Sequence, residues 1–90
     1  MYRVRPTGRF QKDLKRIKKR GYDISLITDV IKILAKGETL PEKYRDHTLI
    51  GEYSGCRECH IQPDWLLIYE IDGDVLILYL TRTGSHSDLF

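Results

Sequence analysis

The second half of the chain holds three segments that are rich in β-branched and aromatic residues and are separated by short turns. The segments cover residues 56–62, 65–71 and 75–83, and their composition is typical of β-strands. Pro63-Asp64 suits a tight reversal, and Asp72-Gly73-Asp74 supplies a residue that tolerates positive φ, as hairpin turns require. Strands joined by connections this short pair antiparallel. The sequence therefore predicts an antiparallel meander, and this restricts the possible folds more than any other feature.

Two amphipathic helices and a short strand are predicted before the meander. Residues 2–6 alternate weakly, as in a short strand, and Thr7 follows as a helix N-cap. The first helix has three apolar residues on one face: Phe10, Leu14 and Ile17. Gly21 ends this helix, and the same periodicity returns over residues 24–36, which Gly37 closes as a C-terminal cap. We expect both helices to bury one face.

The predicted fold class is α+β, in a single domain over residues 1–90. Two N-terminal helices pack on one face of a mainly antiparallel sheet of about four strands, and a short C-terminal tail follows. Residues 38–55 are polar and irregular, which indicates a surface connection. Nothing obvious in the sequence covers the other face of the sheet, so we expect a concave, polar surface there. No apolar run approaches the roughly 20 residues of a membrane span, and we expect a cytoplasmic protein.

Charge is distributed unevenly along the chain. The net charge is only +2, but residues 1–20 hold nine basic residues and one acidic residue, and the other seventy residues hold six basic and twelve acidic ones. Clustered Lys and Arg side chains bind polyanions because they release counterions from phosphates. The first segment therefore suggests a polyanionic partner. A solvated helix face is the alternative interpretation of the same pattern.

All three histidines lie in the second half of the chain: His47, His60 and His86. Histidine gives or takes a proton near neutral pH, and RNA cleavage needs a base for the 2′-hydroxyl and an acid for the leaving 5′-oxygen. Arg82 could neutralise charge on the phosphate, and Asp64 could orient a histidine or act as a base. Trp65 and Phe90 offer flat surfaces for a base. The alternatives are ordinary surface histidines, a core tryptophan, an exposed arginine and a frayed C-terminal phenylalanine.

A C-x-x-C-H motif, Cys56-Arg57-Glu58-Cys59-His60, has the spacing for c-type haem attachment. Haem is not expected, because that attachment normally follows export, the chain shows no signal peptide, and Met1 is the only methionine. A zinc site would combine this motif with a distant histidine. Neighbouring residues in a regular strand point to opposite faces, so Cys59 and His60 should diverge. We therefore predict no metal site.

Several stretches form a specific pattern in this order: Asp46-His47, Leu49, Gly51, Gly55 through Tyr69, and Arg82 through Phe90. This order resembles the YafQ branch of the RelE-like toxins, which belong to bacterial and archaeal toxin–antitoxin pairs. The likeness covers nearly the whole chain. The basic segment Phe10-Gln11-Lys12-Asp13-Leu14-Lys15 is also similar to the family's first helix, although such amphipathic patterns are common.

Members of that family are messenger-RNA endonucleases that depend on the ribosome and use no metal, so the resemblance implies this activity, no cofactor and a RelE-like fold. Position by position, it implies acid/base roles for four residues: His47, His60, Asp64 and His86. It implies a phosphate contact for Arg82. It also implies that Trp65 and Phe90 are aromatic residues of the site. His86 is the expected proton donor. His60 and Asp64 would remove the 2′-hydroxyl proton or orient the sugar, with His47 in support. The expected products are a 2′,3′-cyclic phosphate and a 5′-hydroxyl.

The resemblance also implies macromolecular partners. The basic first helix would contact ribosomal RNA through Lys12, Lys15, Arg16 and Lys19. A cognate antitoxin protein would bind the toxin and block its active face. Contact with DNA would be indirect, through the antitoxin, and no membrane partner is expected.

Two alternatives from other functional classes stay open. A ParE-like toxin shares the fold but poisons DNA gyrase by binding, and the three histidines at matching positions argue against it. A plain RNA-binding module would use the basic helix and the aromatic residues without chemistry. Replacement of His86 by Ala separates these classes, because the effect of a pure binder would survive the change.

Overall fold

Three α-helices and five β-strands make up the fold, which the computed structural model describes for all 90 residues. The helices are α1 (Gly8–Lys19), α2 (Ile24–Ala35) and α3 (His86–Leu89). The strands are β1 (Arg3–Pro6), β2 (His47–Thr48), β3 (Arg57–Gln62), β4 (Trp65–Asp72) and β5 (Ile77–Gly84). Two short 3₁₀ turns, Glu42–Tyr44 and Gly51–Tyr53, flank β2. The α+β class is confirmed.

The five strands form one sheet in the order β1-β5-β4-β3-β2. Neighbours pair antiparallel except β1, which runs parallel to β5 at one edge. The meander β3-β4-β5 is the predicted one. The sheet has five strands and not about four, because residues 47 and 48 form a two-residue strand on the outer edge of β3. Two residues carry no detectable alternation, so this strand could not be found from the sequence.

Local sequence signals explain where the two long helices begin. The Thr7 hydroxyl accepts a hydrogen bond from the Phe10 N–H at 3.2 Å, which confirms the predicted N-cap. The Asp23 carboxylate caps α2 by accepting from the Ser25 N–H at 3.0 Å. Each of these helices has twelve residues. No helix in the structure is long and apolar enough to cross a membrane.

The main core lies between the two long helices and one face of the sheet. Phe10, Ile17, Ile27, Val30 and Leu34 come from the helices, and Cys59, Ile61, Trp65, Leu67, Tyr69, Leu78 and Leu80 come from the strands. Strand residues two apart share a face, so alternate residues of β3, β4 and β5 enter this core. The arrangement leaves the intervening residues to face away from the helices.

The opposite face of the sheet is partly covered, contrary to the expectation of a free surface. A second, smaller cluster joins Cys56, Leu66, Ile68 and Leu89, and Leu49 and Tyr53 pack against it. Its cover comes from the 49–55 loop and from α3, where the sequence predicts only a surface connection and a tail. The apolar residues at 66 and 68 need such a cover, because exposed aliphatic side chains on a strand cost free energy.

Candidate active site

The three histidines form a row on the face of the sheet opposite the long helices. The ring centroids of His47 and His60 are 6.3 Å apart, and those of His60 and His86 are 5.8 Å apart. The strand register explains this row. His60 on β3 pairs with Leu66 on β4, and Leu66 pairs with Gly84 on β5, two residues before His86. The sheet therefore brings together residues that lie 26 positions apart in the chain.

Glu58 lies between His47 and His60 and was not singled out from the sequence. Its Oε1 is 3.3 Å from His47 Nε2 and 3.8 Å from His60 Nε2. The residue is only 5% exposed, and its other oxygen, Oε2, has no hydrogen-bond partner. Buried polar atoms are nearly always hydrogen-bonded, so an orphan carboxylate oxygen beside two imidazoles is unusual. The alternation that places His60 on this face also places residue 58 there. This alternation is the sequence feature that could have identified Glu58.

The backbone near residue 45 orients the His47 ring. Nδ1 of His47 lies 2.8 Å from the Arg45 carbonyl oxygen, which only accepts hydrogen bonds, so Nδ1 carries a proton. The remaining nitrogen, Nε2, then faces Glu58. His47 Nε2 and the Glu58 carboxylate therefore lie face to face at one end of the row.

Asp64 fixes the orientation of His86 at the other end of the row. Its Oδ1 accepts hydrogen bonds from the His86 backbone N–H at 3.0 Å and from His86 Nδ1 at 2.7 Å. These bonds to His86, the backbone one foremost, lower the pKa of the Asp64 carboxyl. Because Nδ1 is the donor, Nε2 is the nitrogen left to exchange a proton with a substrate. Asp64 and His86 are adjacent because the β3-β4 turn lies beside the end of β5.

A network of hydrogen bonds holds the short helix that carries His86. Ser85 and Asp88 form a capping box, in which each side chain bonds the other residue's backbone N–H. The Asp88 carboxylate also accepts two hydrogen bonds from Arg20, at 2.7 and 3.1 Å. Arg20 is the main reason that the pKa of Asp88 lies well below its usual range. The C-terminal end of α1 is thus tied to the helix that begins at His86.

Arg82 is buried and already paired. Its Nε and Nη2 donate to the Asp13 carboxylate at 2.6 and 3.1 Å, and Nη1 donates to the Tyr53 hydroxyl at 3.4 Å. The hydrogen bonds that Asp13 accepts from Arg82 raise the pKa of Arg82. Asp13 was not selected from the sequence, although it is the one acidic residue among the first twenty. Its isolation among basic residues is the sequence feature that could have identified it.

A β-bulge places Arg82 on the face that carries the histidine row. Tyr69 pairs with Leu80 but Ile68 pairs with Arg82, so Thr81 is an extra residue in β5. Strict alternation would put residue 82 on the same face as Leu80. The bulge reverses the faces beyond it, as a one-residue register shift does. As a result Arg82 lies opposite Ile68, on the face of the smaller cluster.

The two aromatic candidates differ in exposure. Trp65 is 1% exposed, packs edge-on against Tyr22 at 5.0 Å, and donates from Nε1 to the Thr83 hydroxyl at 2.9 Å. Its ring has no free face for a base, so the alternative of a core residue applies and the stacking expectation does not. Phe90 is 67% exposed and contacts the Tyr53 ring edge-on at 5.9 Å. Of these two residues, Phe90 is the one that a substrate can reach.

The four basic candidates on α1 are all exposed: Lys12, Lys15, Arg16 and Lys19. Arg16 also approaches Asp88, with 3.8 Å between Nη1 and Oδ1. The two cysteines lie in different clusters, Cys59 in the main core and Cys56 in the smaller one. Burial raises the pKa of the Cys59 thiol to about 12. No group of three or more His, Cys, Asp or Glu side chains is arranged to hold a metal ion.

Comparisons with known proteins agree with the resemblance. Residues 2–90 match the family model described as "Bacterial toxin of type II toxin-antitoxin system, YafQ". A curated relative, the "mRNA interferase toxin YafQ" of Escherichia coli strain K12, is 36% identical over 85 residues, which cover 93% of this chain and 90% of the relative.

Two solved structures of this kind match over the whole chain. A metal-bound toxin from Helicobacter pylori has a TM-score of 0.93 and 43% identity, and all of both chains is covered. The DinJ-YafQ complex of E. coli gives a TM-score of 0.91 and 34% identity over 100% of this chain and 99% of that one. The chain therefore belongs to the YafQ family of bacterial toxins from type II toxin–antitoxin systems.

Proposed function

We propose that this protein is an endoribonuclease that cleaves messenger RNA on the ribosome by acid/base attack of a 2′-hydroxyl on the adjacent phosphate. The row of His47, His60 and His86 carries this proposal, because each terminal histidine lies against a carboxylate. Such a row supplies a base and an acid on one surface, and both are needed in the same reaction. The name of the E. coli relative, an mRNA interferase toxin, supports the same activity.

His60 is the proposed base, with Glu58 as its partner. His60 occupies the middle of the row. Its Nε2 lies 3.8 Å from Oε1 of Glu58, whose other oxygen, Oε2, has no hydrogen-bond partner. The imidazole takes the proton of the 2′-hydroxyl, and the buried carboxylate stabilises the imidazolium that forms. His47 holds Glu58 from the other side. As the proton leaves, the 2′-oxygen bonds to phosphorus and the 2′,3′-cyclic phosphate forms.

His86 is the proposed acid. The bond from phosphorus to the 5′-oxygen breaks as the cyclic phosphate forms, and the departing oxygen takes a proton from His86 Nε2 to become a 5′-hydroxyl. Asp64 holds Nδ1 of the same ring at 2.7 Å, so the ring presents its other nitrogen in one orientation. A fixed tautomer of this kind lowers the reorganisation that proton transfer requires.

Two further residues complete the proposed site. Arg82 donates through Nη1 to a phosphate oxygen, where it replaces the long 3.4 Å contact to the Tyr53 hydroxyl. Its other nitrogens stay on Asp13 and keep the guanidinium in place. Phe90 offers an exposed ring for an unstacked base. The reaction needs no group beyond these side chains and the RNA itself.

The proposed partners follow from charge and from the family. The exposed cations of α1, Lys12, Lys15, Arg16 and Lys19, lie against ribosomal RNA in this proposal, since clustered cations bind phosphates through counterion release. A cognate antitoxin binds the protein and covers the histidine row. The complex of the E. coli relative with DinJ supports such a partner.

Primer extension on programmed ribosomes tests the proposal. Purified protein is incubated with ribosomes on a defined message and, separately, with naked RNA, and the new 5′ ends are mapped. We expect cuts only on the ribosome-bound message, and a rate about 10²- to 10⁴-fold lower for His86→Ala. Glu58→Gln keeps the shape but removes the carboxylate, and it should also slow the cut. Lys36→Ala, at an exposed cation beyond α2, is the matched control and should cut normally.

Other outcomes point to the alternative classes. Intact message with the wild-type protein bound to ribosomes indicates an RNA-binding module. Inhibition of gyrase with no cut in any RNA indicates a ParE-like toxin. Equal cleavage of naked RNA contradicts the ribosome dependence but not the acid/base chemistry.

A further inference from the structure

A cavity opens directly beside the histidine row and has no part in the acid/base steps above. It has a volume of about 480 Å³ and lies between residues 43–45, which lead into β2, and residues 60–63, where β3 ends. Leu26, in the first turn of α2, closes one side. Small-ligand sites commonly have volumes of about 300 to 1,000 Å³. His60 contributes to both the cavity and the row, so a ligand in the cavity touches the proposed base.

The walls of the cavity combine apolar surface with positive charge. Leu26, Ile61 and Pro63 are apolar, and Tyr44 adds a half-buried aromatic ring. Lys43 and Arg45 supply the charge, Gln62 supplies an amide, and no carboxylate lines the cavity. An apolar and aromatic wall suits the flat face of a base, and cations suit a phosphate. The lining therefore matches one nucleotide.

Lys43 and Arg45 are the cations near the row that no carboxylate neutralises. Arg82 is paired with Asp13, and Arg57 is paired with Asp46 at 3.3 Å. Neither Lys43 nor Arg45 forms a salt bridge in the structure, and Lys43 Nζ lies over the Tyr44 ring, 5.1 Å from its centroid. No carboxylate therefore competes with a phosphate for either cation.

The backbone holds Arg45 in a rare conformation. Its φ is 49°, in the left-handed region that residues other than glycine seldom adopt. Its carbonyl oxygen accepts the hydrogen bond from His47 Nδ1 at 2.8 Å. Backbone strain of this kind persists where the surrounding structure enforces it, and it is concentrated at functional sites. The same backbone unit thus fixes a terminal histidine of the row and one of the two unpaired cations at the cavity.

We propose that this cavity is a nucleotide subsite, which binds the RNA residue next to the scissile phosphate. The base of that nucleotide lies on Tyr44 and the apolar wall. Its phosphate lies on Arg45 and on Lys43, which moves off the Tyr44 ring to reach it. This inference rests on the proposed function, because it assigns the ligand as part of the RNA strand that the histidine row cuts. It also makes residues 43–45 determinants of which nucleotide is accepted beside the cut.

An NMR titration without ribosomes tests the subsite. Uniformly ¹⁵N-labelled protein is titrated with adenosine 3′-monophosphate and, in separate arms, with adenosine and inorganic phosphate. We expect the nucleotide to shift the amide signals of residues 43–45 and 60–62, and to bind more tightly than either fragment. Arg45→Asn removes the charge at a position where asparagine tolerates the left-handed backbone, and it should weaken binding by about threefold to tenfold. Lys36→Ala removes an exposed charge elsewhere and should leave the affinity unchanged.

Three results would overturn the subsite. One is a set of shifts confined to His47 and His86, and another is an unchanged affinity in Arg45→Asn. The third is no response to the nucleotide at millimolar concentrations. Because this titration measures binding and no cleavage, a protein that fails to cut ribosome-bound message can still show the subsite. Conversely, an active enzyme whose cavity ignores nucleotides would keep the proposed function and lose this inference.

Discussion

Removal of Asp13 should destabilise the protein far more than removal of any exposed carboxylate. Asp13 accepts three hydrogen bonds, two from Arg82 and one from the Thr83 N–H at 3.2 Å. The two paired side chains are only 3% and 10% exposed. Asp13→Ala therefore leaves a guanidinium buried without its counter-charge, and loss of one partner of a buried pair typically costs about 3 to 5 kcal/mol. We expect a loss of that size in the free energy of unfolding.

Urea unfolding measures this loss directly. Trp65 is the only tryptophan, and its indole contacts the Thr83 hydroxyl beside the Asp13 network, so its fluorescence reports unfolding of this region. A domain of this size has a total stability of about 5 to 15 kcal/mol, so the unfolding of a variant that loses about 3 to 5 kcal/mol can still be measured. Asp13→Asn provides a second, milder variant that keeps the side-chain shape.

A matched control and a double variant make the test decisive. Asp29→Asn removes the same charge from an exposed position on α2 and should change stability by less than about 0.5 kcal/mol. Replacement of both partners, with Asp13→Leu and Arg82→Met, should recover much of the lost stability, because a buried pair can often be exchanged for apolar residues. A loss for Asp13→Ala no larger than that for Asp29→Asn would refute the argument.

Three further predictions concern the C-terminal helix and the core. The pKa of Asp88 is lowered in the folded protein. Its ionised form therefore contributes stability above about pH 4, and this contribution disappears as the pH falls through the pKa of the folded state. In urea unfolding, the stability difference between the wild type and Asp88→Asn should shrink from pH 7 to pH 3. A Cβ at Gly84, where φ is 152°, would lie 2.9 Å from Asp88 atoms, so Gly84→Ala should lower the thermal midpoint, while Gly73→Ala, with open space around it, should not. The thiol of Cys59 is fully buried with a pKa of about 12, so a Cys56→Ser variant should react with a thiol reagent only after unfolding. Rapid reaction of the folded variant would contradict the burial of Cys59.

Local elements of the fold could be predicted because their signals are carried by residues close together in the chain. The three-residue and four-residue spacing of Phe10, Leu14 and Ile17 reports a buried helix face wherever the helix lies. Thr7 predicted the start of α1 for the same reason, because an N-cap residue directly precedes its helix. The meander followed from two short turns. The two-residue strand at His47 was missed, since so short a strand depends on its neighbour and not on its own sequence.

The candidate site could be predicted only in part. The histidines and Asp64 were selected by their chemistry and by the family resemblance. The structure places the three histidines in one row and Asp64 against His86. Glu58, which occupies the gap between two of them, was overlooked, although alternation with His60 implied its position. Trp65 was predicted to stack on a base, with a core residue as the alternative, and its place in the alternation of β4 makes it a core residue.

The amino-acid sequence alone determined the two long helices, the meander, the basic first segment and the family, because each is encoded in local periodicity or in the order of residue types. Tertiary structure decided which side chains meet. The histidine row exists because strand register aligns His60 with Leu66 and Gly84. Arg82 lies on the same face of the sheet because Thr81 forms a bulge. Contacts between residues far apart depend on strand register and loop closure, and a shift of one residue would turn the same side chains to the other face of the sheet.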